Sequence, residues 1–239
     1  MMDNKSKGTV FTVKLEPTSG NKNGLAQRAA EILENRLSAA GVAGDAAADK
    51  NNADQILVKI YGSEDLEKVR KFLFVTNDLE LKEIVSEPYP ERLMVYASRE
   101  AAERASAAGV FEVLSYRERA GAKEVFVNVV KEPIVTGADV REARLIDRSG
   151  GEDYQVSYTL YKDAGEKFGD WTERNITHYL AIILDKKIVS APCIRVQIFD
   201  DGEIPGHFTK EEAENIVISL KSGYLPVKMT IVKEETFGK

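Results

Sequence analysis

The sequence predicts an α+β fold, and three patterns in the 239-residue chain carry that reading. Short runs alternate apolar and polar residues, the period of a half-buried strand. Longer runs repeat apolar residues at helical spacing. The two kinds of run follow one another in alternation through the first 85 residues.

Phe11, Val13 and Leu15 alternate with Thr12 and Lys14 and form the first strand. A helix follows: Leu25, Ala29, Ile32, Leu33, Leu37 and Ala40 share one face, Asn23 is a suitable cap, and Gly41 sits where a terminating glycine belongs. Ile56, Val58 and Ile60 alternate again. Ser63 then opens a second helix, acidic early (Glu64, Asp65, Glu67) and basic late (Arg70, Lys71), as the helix dipole favours. Leu79 and Leu81 begin a strand that runs to about Val85. Completing βαββαβ requires one more strand between Gly41 and Gln55, where Asp45–Asp49 has poor β propensity and must rely on its neighbours. The pattern is that of a split βαβ unit of ferredoxin-like type.

Pro88 and Pro90 punctuate a change of character. Beyond them the sequence predicts a short helix from Ser98 to Gly109 and a strand at Val125–Val130. A helical turn over Ala138–Ala143 and a polar loop at Asp147–Asp153 come next, before a strand at Val156–Leu160. Ala164, Phe168 and Trp171 mark one side of a helix reaching about Tyr179. Leu180–Leu184 and Ile188–Ser190 flank Asp185-Lys186-Lys187 as a hairpin, although lysine tolerates a positive φ poorly. Asp200-Asp201 before Gly202 reads as a turn. Thr209-x-x-Glu212 is a capping box for a helix whose apolar face is Ala213, Ile216, Val217 and Leu220. Gly223 ends that helix, and Val227–Val232 closes the chain as a strand, expected to join the sheet of Val10–Leu15.

Composition excludes several classes of function. With 33 basic and 39 acidic residues the net charge is -6, without the clustered basic footprint that nucleic acid or anionic lipid requires. The single cysteine, Cys193, leaves no intrachain disulfide. No run approaches the length of a membrane span, and the first residues lack the apolar core of a secretory signal.

A search for chemistry returns little. His178 and His207 are far apart and have no paired ligands at metal-binding spacing, so neither a metal nor a cofactor is expected. Cys193 sits in an apolar run without a base, and Ser149-Gly-Gly151 lacks the context of a phosphate loop. The acidic pairs Glu211-Glu212 and Glu234-Glu235 read as a helix start and a solvated strand edge. No enzyme is expected. What remains is the stretch Ile188, Val189, Pro192, Ile194, Val196, Ile198 and Phe199, apolar on both faces and therefore either buried twice or used for binding.

Several blocks in fixed order carry a resemblance: Leu180-Ala-Ile-Ile-Leu-Asp-Lys-Lys-Ile-Val-Ser-Ala-Pro192, Gly206-His-Phe-Thr-Lys-Glu-Glu-Ala213, Leu220-Lys-Ser-Gly-Tyr-Leu-Pro226 and Ile231-Val-Lys-Glu-Glu-Thr-Phe-Gly238. Glu132-Pro-Ile-Val-Thr-Gly-Ala-Asp139 belongs to the same pattern. The chain closely resembles the first large extracytoplasmic domain of the SecD family, membrane subunits that assist the bacterial Sec translocase. That family usually has glycine where this chain has Lys186, and asparagine where it has His207. The resemblance implies a membrane-proximal base at 8–87 plus 207–237, with an inserted α+β head at 88–206 that contacts preprotein. Crossings between them would then act as hinges at Pro88, Pro90, Pro205 and Gly206. It further implies a soluble piece of a longer, membrane-anchored protein on the periplasmic face, working with SecF, SecYEG and YajC. The expected role is capture and release of unfolded preprotein during export driven by the proton gradient. Val189, Pro192, Ile194, Val196, Ile198 and Phe199 are the candidate contact residues. Two alternatives stand beside it: a ferredoxin-like small-molecule sensor, and an acylphosphatase-like hydrolase. The second is disfavoured because Glu16–Asn23 contains no arginine.

Overall fold

The structure, a computed structural model, describes residues 6–16, 24–62, 65–74, 78–85, 93–106, 109–118, 121–151, 153–223, 225 and 227–238. The chain divides into two compact units.

The first unit joins the two ends of the chain, 1–76 and 221–239. It contains β1 (Gly8–Glu16), α1 (Leu25–Ala39), β2 (Gly44–Ala48), β3 (Gln55–Tyr61), α2 (Leu66–Leu73) and the last strand, β13 (Lys228–Phe237). Its sheet runs in the order β13-β1-β3-β2, every neighbouring pair antiparallel. The alternation read from the sequence sets which side chains are buried. Phe11, Val13 and Leu15 of β1 are buried with Ile56, Val58 and Ile60 of β3, and α1 contributes Ala29, Ala30, Leu33 and Leu37. The alanine-rich β2 forms because its whole length pairs with β3, Ala46 lying opposite Val58. Here a ladder partner overrides weak propensity.

Helix ends follow their sequence signals where those residues are described. α1 closes in a two-bond Schellman motif: Val42 N–H donates to Leu37 O at 2.9 Å and Gly41 N–H to Ser38 O at 3.1 Å, with Gly41 at φ 68°. Asn23 and Ser63 lie outside the described residues. Gly24 is the residue before α1, and α2 is capped by Asp65, whose carboxylate accepts from Glu67 N and Lys68 N.

The last strand joins the sheet of β1 as its sequence suggested, but the strand read as completing βαββαβ lies elsewhere. Residues 79–84 do not join this sheet; β13 takes the place beside β1, with Gly8 opposite Phe237. The reason is visible in the sequence of 79–84, which is apolar at Leu79, Leu81 and Ile84 and buried on both faces in the second unit, where those side chains find two cores.

The second unit, 77–220, begins with that strand, β4 (Leu79–Ile84). It continues with α3 (Arg99–Ala105), β5 (Phe111–Tyr116), β6 (Val125–Val130), β7 (Val135–Thr136), β8 (Val140–Asp147) and β9 (Tyr154–Leu160). Then come α4 (Lys162–Arg174), β10 (Tyr179–Leu184), β11 (Lys187–Ser190), β12 (Asp201–Phe208) and α5 (Lys210–Ser222). Strands β10, β11, β5, β6 and β4 form a closed circuit, because β4 pairs with both β6 and β10. Inside it lie Ile84, Leu114, Val127, Val129, Ala181, Ile183 and Ile188. The other face of β10 presents Leu180, Ile182 and Leu184 to a larger core with Phe168, Tyr158, Ile204, Ala213, Ile216 and Leu220. A strand buried on both faces has no polar positions to alternate, which accounts for Tyr-Leu-Ala-Ile-Ile-Leu.

Three expectations are corrected. Residues 140–147 are a strand; the helical turn is confined to Gly137–Asp139, because Val140 and Ala143 bury against β9 and the core. α4 stops at Arg174, where Asn175 Nδ2 donates to Trp171 O at 2.7 Å and Thr177 takes a positive φ of 73°. The residues read as a turn at Asp201 begin a strand, β12, paired to β9.

The hairpin at 185–186 shows how a lysine occupies a left-handed position. Asp185 and Lys186 have φ 48° and 64°, the signature of a type I′ turn. Asp185 N–H donates to Asp78 O at 3.1 Å, its carboxylate accepts from Asp78 N–H at 3.0 Å, and Lys186 Nζ reaches Glu80 at 2.6 Å. These contacts offset a backbone cost of about 1–2 kcal/mol. They also crowd Asp78. Burial, reinforced by the Glu80 carboxylate, pushes its acid constant from 3.8 up to about 6, against the opposing pull of Lys186 and Lys82. A carboxyl with a raised folded-state value contributes stability below its unfolded value and loses it as pH rises through the folded one. Relative to Asp78→Asn, the natural chain should therefore lose stability between pH 4 and pH 6, and the variant should be the more stable at pH 7. Denaturant titrations of both at several pH values test this; parallel curves would refute it.

Candidate functional site

The candidate apolar stretch does not form one strand. After β11 the chain runs without regular structure to Asp200. Its first part is tied to the segment entering β10: Leu180 N–H donates to Pro192 O at 3.0 Å, Ile194 N–H to His178 O at 2.9 Å and Thr177 N–H to Ile194 O at 2.8 Å. Its second part, 195–200, lies as a strap across α4.

α4 receives the strap through residues that carry almost no side chain. Gly165 and Gly169 are one helical turn apart and both are buried. A Cβ on Gly169 would stand 2.5 Å from the Phe199 ring, and one on Gly165 would stand 2.7 Å from the Asp200 carboxylate. Thr172, fully buried, completes the notch. Its hydroxyl accepts from Ile198 N–H at 2.9 Å, with Ile198 O at 3.2 Å and Gly169 O at 3.1 Å as acceptors for its own proton. Gln197 Nε2 donates to Gly169 O at 3.3 Å. The strap then joins β12, Asp200 O accepting from Leu160 N–H at 2.8 Å.

The six candidate residues divide by burial. Ile194 is 2% exposed and belongs to the larger core, while Val189 and Ile198 are half-buried against it. Pro192 is exposed, and so are Val196 at 66% and Phe199 at 50%. Sequence reasoning found the stretch but missed Gly165, Gly169 and Thr172. The available signal was two glycines and a small residue at helical spacing in an otherwise good helix, a costly choice without close packing.

Pro88, Pro90 and the side chain of His207 lie outside the described residues. Pro205 and Gly206 fall inside β12, within the second unit, where no crossing occurs. The divide between units falls at 76/77 and 220/221 instead, because Ala213, Ile216 and Leu220 of α5 are buried in the larger core.

Two further concavities belong to the second unit. One, about 360 Å³, is lined by Pro133, Ile134 and Trp171 with Lys167, Asp170 and Arg174 among the charged residues around them. It uses the 167/170/174 side of α4, distinct from the 165/169/172 side that seats the strap. The other, about 570 Å³, lies along β8, β9 and β12, where the rows Glu142–Thr159–Asp201 and Arg144–Ser157–Glu203 share a face. Among its charges, Arg144 pairs with Glu142 at 2.9 Å and Glu203 with Arg148. Among the described residues no cluster of His, Cys, Asp or Glu could hold a metal ion. Cys193 Sγ lies 3.5 Å from Thr177 O, and His178 Nδ1 lies 3.9 Å from Glu83, close to β10 and not on the helix expected for it. No described helix is long and apolar enough to cross a membrane.

Comparison with known proteins gives this arrangement a family. Residues 112–227 match the SecDF P1 head subdomain. Protein translocase subunit SecD of Aquifex aeolicus is 34% identical over 218 residues, 91% of this chain and 40% of that protein. SecDF of Thermus thermophilus is 30% identical over 219 residues, 89% of this chain and 28% of that protein. A crystal structure of SecDF in a super-membrane-facing form superposes with a TM-score of 0.71 at 25% identity, over 97% of this chain and 30% of that one. A structure of SecDF described as a membrane component that enhances protein export matches in fold, with a TM-score of 0.68 at 24% identity, over 94% of this chain and 98% of that one. The chain is thus α+β in architecture and shares its fold with these SecDF structures. It belongs to the SecD family, as a periplasmic domain, and spans less than half the length of the curated relatives described.

Proposed function

We propose that this domain captures unfolded preprotein emerging on the periplasmic side of SecYEG and releases it again, in export driven by the proton motive force. SecF and YajC are the further partners of this reading. The first unit acts as a ferredoxin-like base and the second as a head inserted into it. The observation that carries capture is the strap: Val196 and Phe199 stand exposed on the head of a protein-export domain, at the end of a segment whose Ile188 and Ile194 are buried and whose Val189 and Ile198 are half-buried. Apolar contact of this kind is tolerant of sequence. A Kd between micromolar and millimolar, about -8 to -4 kcal/mol, opposes backsliding without stalling release.

The test is fluorescence anisotropy of a labelled, reduced and carboxymethylated small protein, which stays unfolded in buffer. Val196→Ser with Phe199→Ser should weaken its binding about tenfold, the effect of removing roughly 1.4 kcal/mol of apolar burial. The folded parent of the probe should not bind. An unchanged affinity in the double variant would remove the strap as the capture site, and its loss in Trp171→Ser instead would move that site to the groove beside Pro133 and Ile134.

A further inference from the structure

We infer that Gly169 and Thr172 are positioning residues that hold the strap in the form that presents Val196 and Phe199, an inference that rests on the capture reading above. The strap has no regular hydrogen-bonded partner strand between Arg195 and Phe199, so its path must be fixed by something else. Within that stretch its backbone is tied at Ile198, whose N–H and C=O both lie within bonding distance of one hydroxyl, Thr172 Oγ1. Thr172 is fully buried, where an unmet N–H or C=O would carry a desolvation cost, so the pairing is selective for this one register.

Gly169 fixes the neighbouring residue in a complementary way. Phe199 is half exposed, yet its ring lies so close to the helix that no Cβ fits beneath it. The bare helix surface allows one edge of the ring to dock while the rest faces solvent. Without that seat, an exposed phenylalanine on an irregular segment would fold back onto the apolar residues nearby or sample many rotamers. Either outcome lowers the fraction of molecules competent to bind, and apparent affinity falls by that fraction. The notch therefore acts on capture without touching the captured chain.

Alanine at 169 would ordinarily favour a helix, since glycine is the poorer helix former. At this position it should displace Phe199, so helix propensity and strap geometry are set against each other. Thr172→Val keeps the shape of the side chain and removes only the hydroxyl, and Thr172→Ser restores it.

The experiment reads two quantities on the 239-residue chain: hydrogen exchange at the Ile198 amide, and anisotropy with the same carboxymethylated probe. In Thr172→Val the Ile198 amide should exchange at least about tenfold faster while β10 amides keep their protection. Probe affinity should fall about threefold or more through the loss of competent molecules, and Thr172→Ser should recover both readings. Gly169→Ala should lower affinity in the same direction with its helix intact by circular dichroism. An Ile198 amide that stays protected in Thr172→Val would overturn the clamp. Faster exchange with unchanged affinity, in a chain whose binding still depends on Phe199, would overturn the positioning role alone. If Val196→Ser with Phe199→Ser also binds normally, the capture reading fails and the positioning role fails with it.

Discussion

Replacing Arg36 with alanine should destabilise the first unit by about 3 kcal/mol, among the largest effects of any substitution outside its apolar core. Arg36 sits in the last turn of α1 and is fully buried. Its Nη1 donates to Leu73 O at 2.8 Å and lies 3.4 Å from Phe72 O. Those carbonyls end α2, where the last turn of a helix leaves acceptors unmet and carries partial negative charge. One helix thus caps another through a buried cation. Arg36→Ala removes the donors and leaves a cavity; Arg36→Met refills much of the volume but still orphans the carbonyls, and should recover only part of the loss. Arg36→Lys keeps the charge and loses the fork, so it should fall between methionine and the natural residue. Because the chain divides into two units, the loss should appear first in hydrogen exchange of β1 and β3 and spare β10. Equal protection of β1 in the alanine variant would refute the capping role.

Arg36 also shows where sequence reasoning stops. It lies seven residues after Ala29, four after Ile32 and three after Leu33, squarely on the apolar stripe of α1. A charged residue on such a stripe signals either a break in the helix or a buried partner, and nothing local names the partner, since the accepting Leu73 lies 37 residues downstream. The elements themselves were largely legible, because period and caps are local: β1, α1, β3, the capping box at Thr209–Glu212 and the terminating Gly41 all follow from neighbouring residues. Pairing was legible in part: 227–232 was expected in the sheet of Val10–Leu15 and β13 lies beside β1, but that 79–84 leaves this sheet is decided only by the tertiary choice between two cores. The closed circuit of β4, β10, β11, β5 and β6 was hidden for the same reason.

The site was half legible on similar grounds. An apolar segment with few charges is a compositional signal, and it drew attention to 188–199 as the candidate stretch. Which of its residues face solvent depends on the notch in α4. Ile194 and Ile198 turn toward the core because Thr172 and the 177–180 segment hold the backbone, and Phe199 stays outside because Gly169 gives it a shelf.

Lys82 supplies the second large effect. Its side chain is 2% exposed on β4, among the least accessible charged groups described. Nζ lies 2.5 Å from Glu112 on β5 and 3.2 Å from Glu80, so one ammonium joins two strands of the circuit that are not adjacent. Taking a charge out of water is expensive, and only close partners make it tolerable; removing one member of such a set strands the others. Lys82→Met, which keeps the length of the stem, should cost about 2–3 kcal/mol at pH 7. The figure sits below that for a sealed pair because Glu112 is 27% exposed and Glu80 keeps Lys186 at 2.6 Å. Glu112→Gln alone should cost less, about 1–2 kcal/mol, since Lys82 retains Glu80. The informative measurement is the double variant. If Lys82 and Glu112 interact directly across the circuit, Lys82→Met with Glu112→Gln should be about 1–2 kcal/mol more stable than the sum of the single losses predicts. Strict additivity would show that the pair contributes nothing together, and that the closure of the circuit rests on its apolar interior alone.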